Sequence, residues 1–240
     1  MTVTMDFSPT TSPSIRLLGG FDVSVDHESL PLPTNAQRLL GFLAVMHLEQ
    51  RREAVASHLW PAASPDRAMS NLRTALWRVR RAHPGIVRAR REVVRLEDGV
   101  DVDYDRLIVR ARQIIAEDSP DEAMIRLVPD LLESELLPGW DEEWLLIDRE
   151  RYRQLRIHAL ESLSSLLTSR GLFARAIDVA CAAIRVEPLH ESAHAALIAA
   201  HMAEGNRTEA IRHYRSYSRL LADETGLTPS VRLEELIGWR

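Results

Sequence analysis

The chain has 240 residues, a formal net charge of −5, 45% hydrophobic side chains and 27% charged ones, which is the composition of a water-soluble protein long enough to bury two modest cores. Its longest apolar run, residues 39–48, contains Gly41 and His47 and is too short to cross a bilayer. The first fourteen residues lack the basic start and apolar centre of a signal peptide and predict a frayed tail over 1–14, while a single cysteine, Cys181, excludes an internal disulfide framework and fits a reducing cytoplasm.

The average charge conceals a division. All thirty basic residues are arginine, a bias that GC-rich coding explains. Residues 66–95 hold nine arginines against Asp66 and Glu92, whereas residues 111–240 hold fifteen arginines against twenty-two acids. A basic patch beside an acidic remainder suits one DNA-facing surface and a different partner elsewhere.

Residues 15–18, 21–25 and 29–32 predict three short strands, broken by Gly19-Gly20 and by the polar stretch 26–28. Gly19-Gly20 is read as a turn and not as a phosphate loop, since neither further glycines nor a Lys-Ser/Thr pair follows. Thr34 or Asn35 is expected to cap the next helix, with Ala36, Leu39, Leu40, Leu43 and Met46 on its buried face. A short second helix over 51–60 turns Val55 and Leu59 inward, and a Pro-Ala-Ala-Ser-Pro connector follows.

Residues 64–82 are the stretch around which the rest is organised. Ser64 suits an N-cap, Pro65 the first helical position and Asp66 the positive end of the dipole. His83-Pro84-Gly85 ends the helix. Met69, Leu72, Leu76 and Val79 recur at helical spacing, and burying the last three contributes about 1.5–3 kcal/mol each. A rotation of about 100° per residue then sets Arg67, Ser70, Thr74, Trp77, Arg78 and Arg81 on the far side, with Arg73 and Arg80 on the flank. That outward face reads as a recognition helix for duplex DNA. Trp77 is assigned to packing against a neighbouring helix or the second domain rather than to DNA. Residues 86–89 and 93–96 predict two strands with Arg90, Arg91 and Glu92 at their tip. Three strands, three helices and a terminal hairpin are the parts of a winged helix-turn-helix.

Near Asp103 the texture becomes helical, with helices expected over 103–117, 120–137 and 141–170. Leu137-Pro138-Gly139-Trp140 closes the second, and the third carries Trp144, Leu145, Ile147, Leu155, Leu160, Leu163 and Leu167. Gly171…Ala176-Ile177 recurs as Gly205…Ala210-Ile211, an offset of 34 residues shared by Ala180 with Tyr214 and by Arg185 with Arg219. A helix–turn–helix period of that length is the tetratricopeptide signature, and Pro188 closes the first unit. A last helix near 230–237 would cover the end of the stack. The expected fold class is mainly α with a small β component: a winged helix-turn-helix over 15–102, then a tetratricopeptide-like all-α domain over 103–240.

These stretches together resemble the SARP family of bacterial transcriptional regulators along nearly the whole chain. The resemblance is carried by LLGGFDVSV, AQRLLGFLA, VASHLWP and NLRTALWRVRR in the first half. In the second half it is carried by LLPGWDEEWLLIDRERYRQLRIHALE, EPLHESAHAALIAAHMAEGN and YRSYSRLLADETGLTPS. It implies a winged helix related to response-regulator output domains joined to a bacterial transcriptional activator domain. It also implies binding to direct repeats near a promoter and recruitment of RNA polymerase. Matching the helix to the family pattern makes Thr74 and Arg78 the base-edge candidates, since arginine can take both guanine acceptors and threonine can meet a thymine methyl. Ser70 lies on the same face. Arg73, Arg80 and Arg81 are the phosphate candidates, and Arg90 with Arg91 a minor-groove or phosphate contact. The wing departs from the family, ending in Glu92-Val-Val-Arg-Leu96 instead of a Gly-Tyr-x-aliphatic run.

Enzyme readings are set aside. His190-Glu191-Ser-Ala-His194 matches the zinc-protease pattern HExxH, but it opens a repeat helix right after Pro188, and His201 is not at the spacing of a third ligand. Asp101, Asp103 and Asp105 alternate without the Gly and Glu of a calcium loop, and Asp103 reads as a helix cap. Cys181 sits among alanines where a small buried residue is wanted. The expectation is therefore a cytoplasmic DNA-binding activator with no enzymatic activity, cofactor, metal or membrane association. Its partners are double-stranded DNA and, through the helical half, RNA polymerase or a second copy as a homodimer. The competing expectation is a helical-repeat scaffold whose winged helix no longer binds DNA.

Overall fold

The computed structural model describes residues 12–116 and 132–238; the expectations for residues 1–11 and for most of a helix over 120–137 fall outside them. The chain divides into two compact units. One takes in the described residues through Arg106 together with Glu135–Asp148, and the other those of Leu107–Ser134 and Arg149–Arg240.

In the first unit, strands β1 (Ser14–Arg16), β2 (Asp22–Val25) and β3 (Glu28–Ser29) form an antiparallel meander. Asp26 and His27 join β2 to β3 with φ of 55° and 65°, the left-handed pair that a two-residue hairpin turn demands. Helix α1 (Thr34–Met46) begins directly after Pro33. The expected side-chain cap from Thr34 or Asn35 is absent; the Pro33 carbonyl instead accepts the N–H groups of Ala36 and Gln37 at 2.8 and 3.1 Å. Phe42, Ala44 and Val45 are buried as well as the expected apolar face, while Met46 is only half-buried. A helix apolar on nearly every side belongs at the centre of a core.

Strand β4 (Gln50–Arg51) leads into α2 (Arg52–Leu59), α3 (Pro65–Ala82) and the hairpin β5 (Val87–Ala89) and β6 (Val93–Leu96). The hairpin and β4 form a three-stranded sheet in the order β4-β6-β5. Strand β7 (Asp101–Val102) then runs parallel to β1 and completes the other sheet as β3-β2-β1-β7. Two-residue strands such as β4 and β7 carry no readable alternation, and neither is foreseen from the sequence.

Helix α4 (Asp103–Ala116) follows at once. Asp103 does more than the cap expected of it. Its carboxylate accepts the N–H of Tyr104 at 2.7 Å and also those of Leu17 and Leu18 at 2.8 and 3.2 Å. Burial pushes this carboxyl above its ordinary range, against the opposing pull of the three donors.

The same turn is held from its other side by the segment 135–148. Gly19 donates to the Glu135 carbonyl at 2.9 Å, and Leu137 donates to that of Leu17 at 2.8 Å. The segment then crosses α1. The Trp140 ring lies so close to Gly41 that a Cβ there would stand 2.8 Å from it, while its other contacts include Phe21, with ring centroids 5.3 Å apart. Trp144 packs edge-on against Phe42, and Glu142 takes both the Arg38 guanidinium and the Trp144 indole N–H.

The long helix expected from residue 141 starts later. Glu143–Leu145 is a single 3₁₀ turn and α5 spans Leu146–Ser169, because Trp144 and Leu145 are drawn into the first unit. Ile147, placed among the core residues by its period, is 65% exposed.

The second unit continues with α6 (Phe173–Val186), α7 (Glu191–Glu204), α8 (Arg207–Thr225) and α9 (Val231–Leu236). The 34-residue repeat falls on equivalent places. Gly171 and Gly205 take φ of 72° and 86° between helices, where glycine avoids the Cβ penalty. Ala176 and Ala210, and Ala180 and Tyr214, are buried at matching positions. Leu233 and Ile237 close the stack over Ile198, Tyr214 and Tyr217.

Removing the ring that covers α1 tests how much the first unit depends on the crossing segment. Trp140→Ala should cost about 3 kcal/mol and expose the amides of α1 to hydrogen exchange while those of α6 to α8 stay protected. Gly41→Val should act in the same direction by forcing the ring away. Wild-type protection across residues 36–45 in both variants would show that the segment merely rests on the helix.

Candidate nucleic-acid interface

Helix α3 owes its orientation to one buried stripe: Ala68, Leu72, Ala75, Leu76 and Val79 face inward, with Met69 half-buried. It packs on α1 and α2. Pro65 occupies the first position, but Ser64 makes no side-chain cap bond. On the outward side Arg67, Ser70, Arg73, Thr74, Trp77, Arg78, Arg80 and Arg81 are all exposed. The Thr74 hydroxyl donates to the Ser70 carbonyl at 3.0 Å, which leaves its methyl and the hydroxyl oxygen's lone pairs to offer a ligand.

Arg80 is the exception on this face. Its Nη2 donates to the Ala89 carbonyl at 3.0 Å, tying α3 to strand β5. The hairpin tip is held from another direction as well: Arg52 donates its backbone N–H to the Glu92 carbonyl at 2.9 Å, and Arg90 closes the turn through its N–H to Val93 at 2.9 Å. A hairpin therefore forms without the family's usual Gly-Tyr ending, and Arg90 and Arg91 stand exposed at its end.

The arginines divide by what they touch. At the base of the hairpin Arg88 pairs with Glu97 and Asp98, and Arg95 pairs with Asp98, whose carboxyl is thereby held below its usual range. Among the described residues, Arg73, Arg78, Arg90 and Arg91 have no carboxylate within salt-bridge distance. A row of unneutralised guanidinium groups on a rigid helix and on the adjoining hairpin is what a polyanion requires. Trp77 corrects the sequence reading. It is 57% exposed instead of packed away, and the Arg81 guanidinium lies 5.2 Å from its ring centroid.

A family model described as the bacterial transcriptional activator domain matches residues 100–238. The chain belongs to this family. It is of the SARP type, as the sequence resemblance implies. It is similar to the regulatory protein AfsR of Streptomyces coelicolor, with 27% identity over 225 residues that cover 88% of this chain and 22% of AfsR. The AfsR of Streptomyces griseus is 26% identical over 246 residues, covering 95% of this chain and 24% of the relative. The chain thus spans about a quarter of the length of these relatives. Its fold is similar to that of Mycobacterium tuberculosis EmbR, solved in complex with a low-affinity phosphopeptide. The TM-score there is 0.74 at 18% identity, covering 95% of this chain and 64% of EmbR. Among the described residues, no helix is long and apolar enough to cross a membrane.

The motifs with enzyme or metal overtones are occupied with structure in this regulator. His194 Nε2 lies 2.8 Å from the Pro188 carbonyl, and its Nδ1 lies 2.9 Å from His213 Nε2. A carbonyl can only accept, so His194 carries its proton on Nε2 and receives the His213 N–H on Nδ1. Glu191 accepts the Ser230 N–H at 2.9 Å, and His190 faces Glu161 at 3.5 Å. The HExxH side chains therefore turn to separate partners. Asp101 pairs with Arg106, Asp103 clasps the β1 turn, and Asp105 lies 2.7 Å from His47. Cys181 is half-buried, and burial pushes its thiol upward.

The histidine pair gives the helical unit a testable acid response. Burial and the neighbouring His194 and His201 hold His213 down to about 4, and burial lowers His194 too. An unfolded histidine titrates near 6.5, so between the two values the unfolded chain binds more protons and stability rises with pH. Stability of the second unit should fall as pH drops from about 6.5 to about 4 and level off below. His213→Gln should flatten that part of the profile in denaturant melts. An equally steep profile in the variant would assign the acid sensitivity elsewhere.

Proposed function

We propose that the protein is a DNA-binding transcriptional activator that works in the cytoplasm. Its winged helix-turn-helix (15–102) reads a promoter element with the 65–82 helix and the 86–96 wing. Its helical-repeat domain (103–240) contacts RNA polymerase or a second copy of the chain. In this reading Thr74 and Arg78 face base edges with Ser70 on the same side, Arg73, Arg80 and Arg81 meet phosphates, and Arg90 and Arg91 make a minor-groove or phosphate contact. The observation that carries it is the exposed guanidinium face of α3, whose Arg73 and Arg78 have no acidic partner among the described residues, continued by a hairpin tip of which the same is true. A scaffold that had abandoned DNA would have no need of that arrangement, since unpaired like charges on one face repel each other. Arg80 has a second duty in bracing the wing, so its replacement should also loosen the hairpin. The acidic balance of residues 111–240 suits a partner of opposite charge for the second domain.

Gel-shift titration of the purified chain against duplex DNA tests the reading. The wild type should bind random duplex in a salt-sensitive way and a selected operator more tightly. Arg78→Ala should weaken operator binding by about 1–3 kcal/mol and relax preference at one base pair. Arg90→Ala with Arg91→Ala should reduce the slope of log affinity against log salt by about two, one for each lost phosphate contact. No shift of any duplex at low salt would replace the activator with the scaffold.

A further inference from the structure

Trp77 is the one residue of the α3 outward face that a solvated basic helix does not call for. Its indole is more than half exposed, and its N–H has no hydrogen-bond partner among the described residues. Arg81, one turn further on, lies over the ring at 5.2 Å from the centroid. Arg78 and Arg81 also line a groove with Leu30, Pro31 and Pro33, so the surface next to the indole mixes apolar area with positive charge.

A guanidinium held over an aromatic face by a cation–π contact forms no hydrogen bond in doing so and keeps its five N–H groups. The contact therefore orients Arg81 without consuming its hydrogen-bonding edge. An arginine on a flexible stem loses rotamer freedom when it grips a ligand, and one laid on a ring has lost part of it beforehand. The partner matching a planar cationic edge beside an apolar ring is the sugar–phosphate wall of a nucleic-acid duplex: phosphate oxygens for the edge, deoxyribose carbons for the ring.

We infer that Trp77 and Arg81 act as one unit in duplex binding. The indole is a platform that presents the Arg81 guanidinium to a backbone phosphate, and Trp77 is thus a positioning residue for that contact. The inference rests on the DNA-binding reading above and adds to it a residue outside its set.

Salt titrations of duplex binding by the full chain, compared across Trp77→Ala, Trp77→Phe, Arg81→Ala and the double alanine variant, provide the test. Trp77→Ala should lower the salt slope by about one and weaken binding several-fold at moderate salt. Trp77→Phe, which keeps a ring under the guanidinium, should stay close to wild type. The double variant should be no worse than Arg81→Ala alone, and thermal melting should be unmoved because the side chain is exposed. A wild-type slope in Trp77→Ala, or additive losses in the double variant, would overturn the pairing. So would a change in self-association on sedimentation with the slope intact, which would assign the indole to a second copy of the chain. A wild type that binds no duplex would remove the DNA reading itself, whereas a binding wild type with an indifferent Trp77 removes only this inference.

Discussion

The backbone of Leu17, Leu18 and Gly19 is the point from which the first unit is held. An ionised carboxylate placed against three N–H donors makes hydrogen bonds about twice as strong as neutral ones, and Asp103 supplies it at the first residue of α4. Glu135 and Leu137 engage the same turn from the opposite direction in sequence. Without these bonds the buried residues Leu17 and Leu18 would leave amide groups unsatisfied. The consequence runs inward: the segment pinned at Leu137 continues into Trp140 and Trp144, which cover α1, and α1 is the surface on which α3 rests.

Much of this was readable beforehand, and the reason differs by element. The α3 stripe was legible because five turns of regular spacing leave little choice about which side is buried, and flanking Pro65 and Pro84-Gly85 mark its ends. The repeats were legible because Gly171 and Gly205 recur with their alanine partners at a fixed distance. What escaped notice depends on contacts remote in sequence. Strands β4 and β7 are two residues each and exist only because longer strands recruit them. The late start of α5 follows from Trp144 being claimed by Phe42, about a hundred positions earlier, a preference no local window contains.

The candidate interface shows the same division. Periodicity gave the outward set on α3, and hairpin logic placed Arg90 and Arg91 at the tip. Periodicity could not say which arginines were spoken for. Arg88 and Arg95 are neutralised by acids a few residues away, while Arg80 gives one N–H to a carbonyl across a loop and keeps its charge. Trp77 departs from expectation because a large apolar side chain is ordinarily buried, and the pattern holds no hint that Arg81 lies over its ring.

The bond from Arg80 to the Ala89 carbonyl has a mechanical corollary. It helps to set the spacing of helix and hairpin, as a stop on a caliper does, before any ligand arrives. A double helix gripped by such a gauge would be sorted by its own dimensions. Sequences whose grooves are intrinsically too narrow or too wide must deform to fit, and the energy of that deformation varies with base pairs that no side chain reaches. Discrimination of this sort would persist even where every direct base contact had been removed.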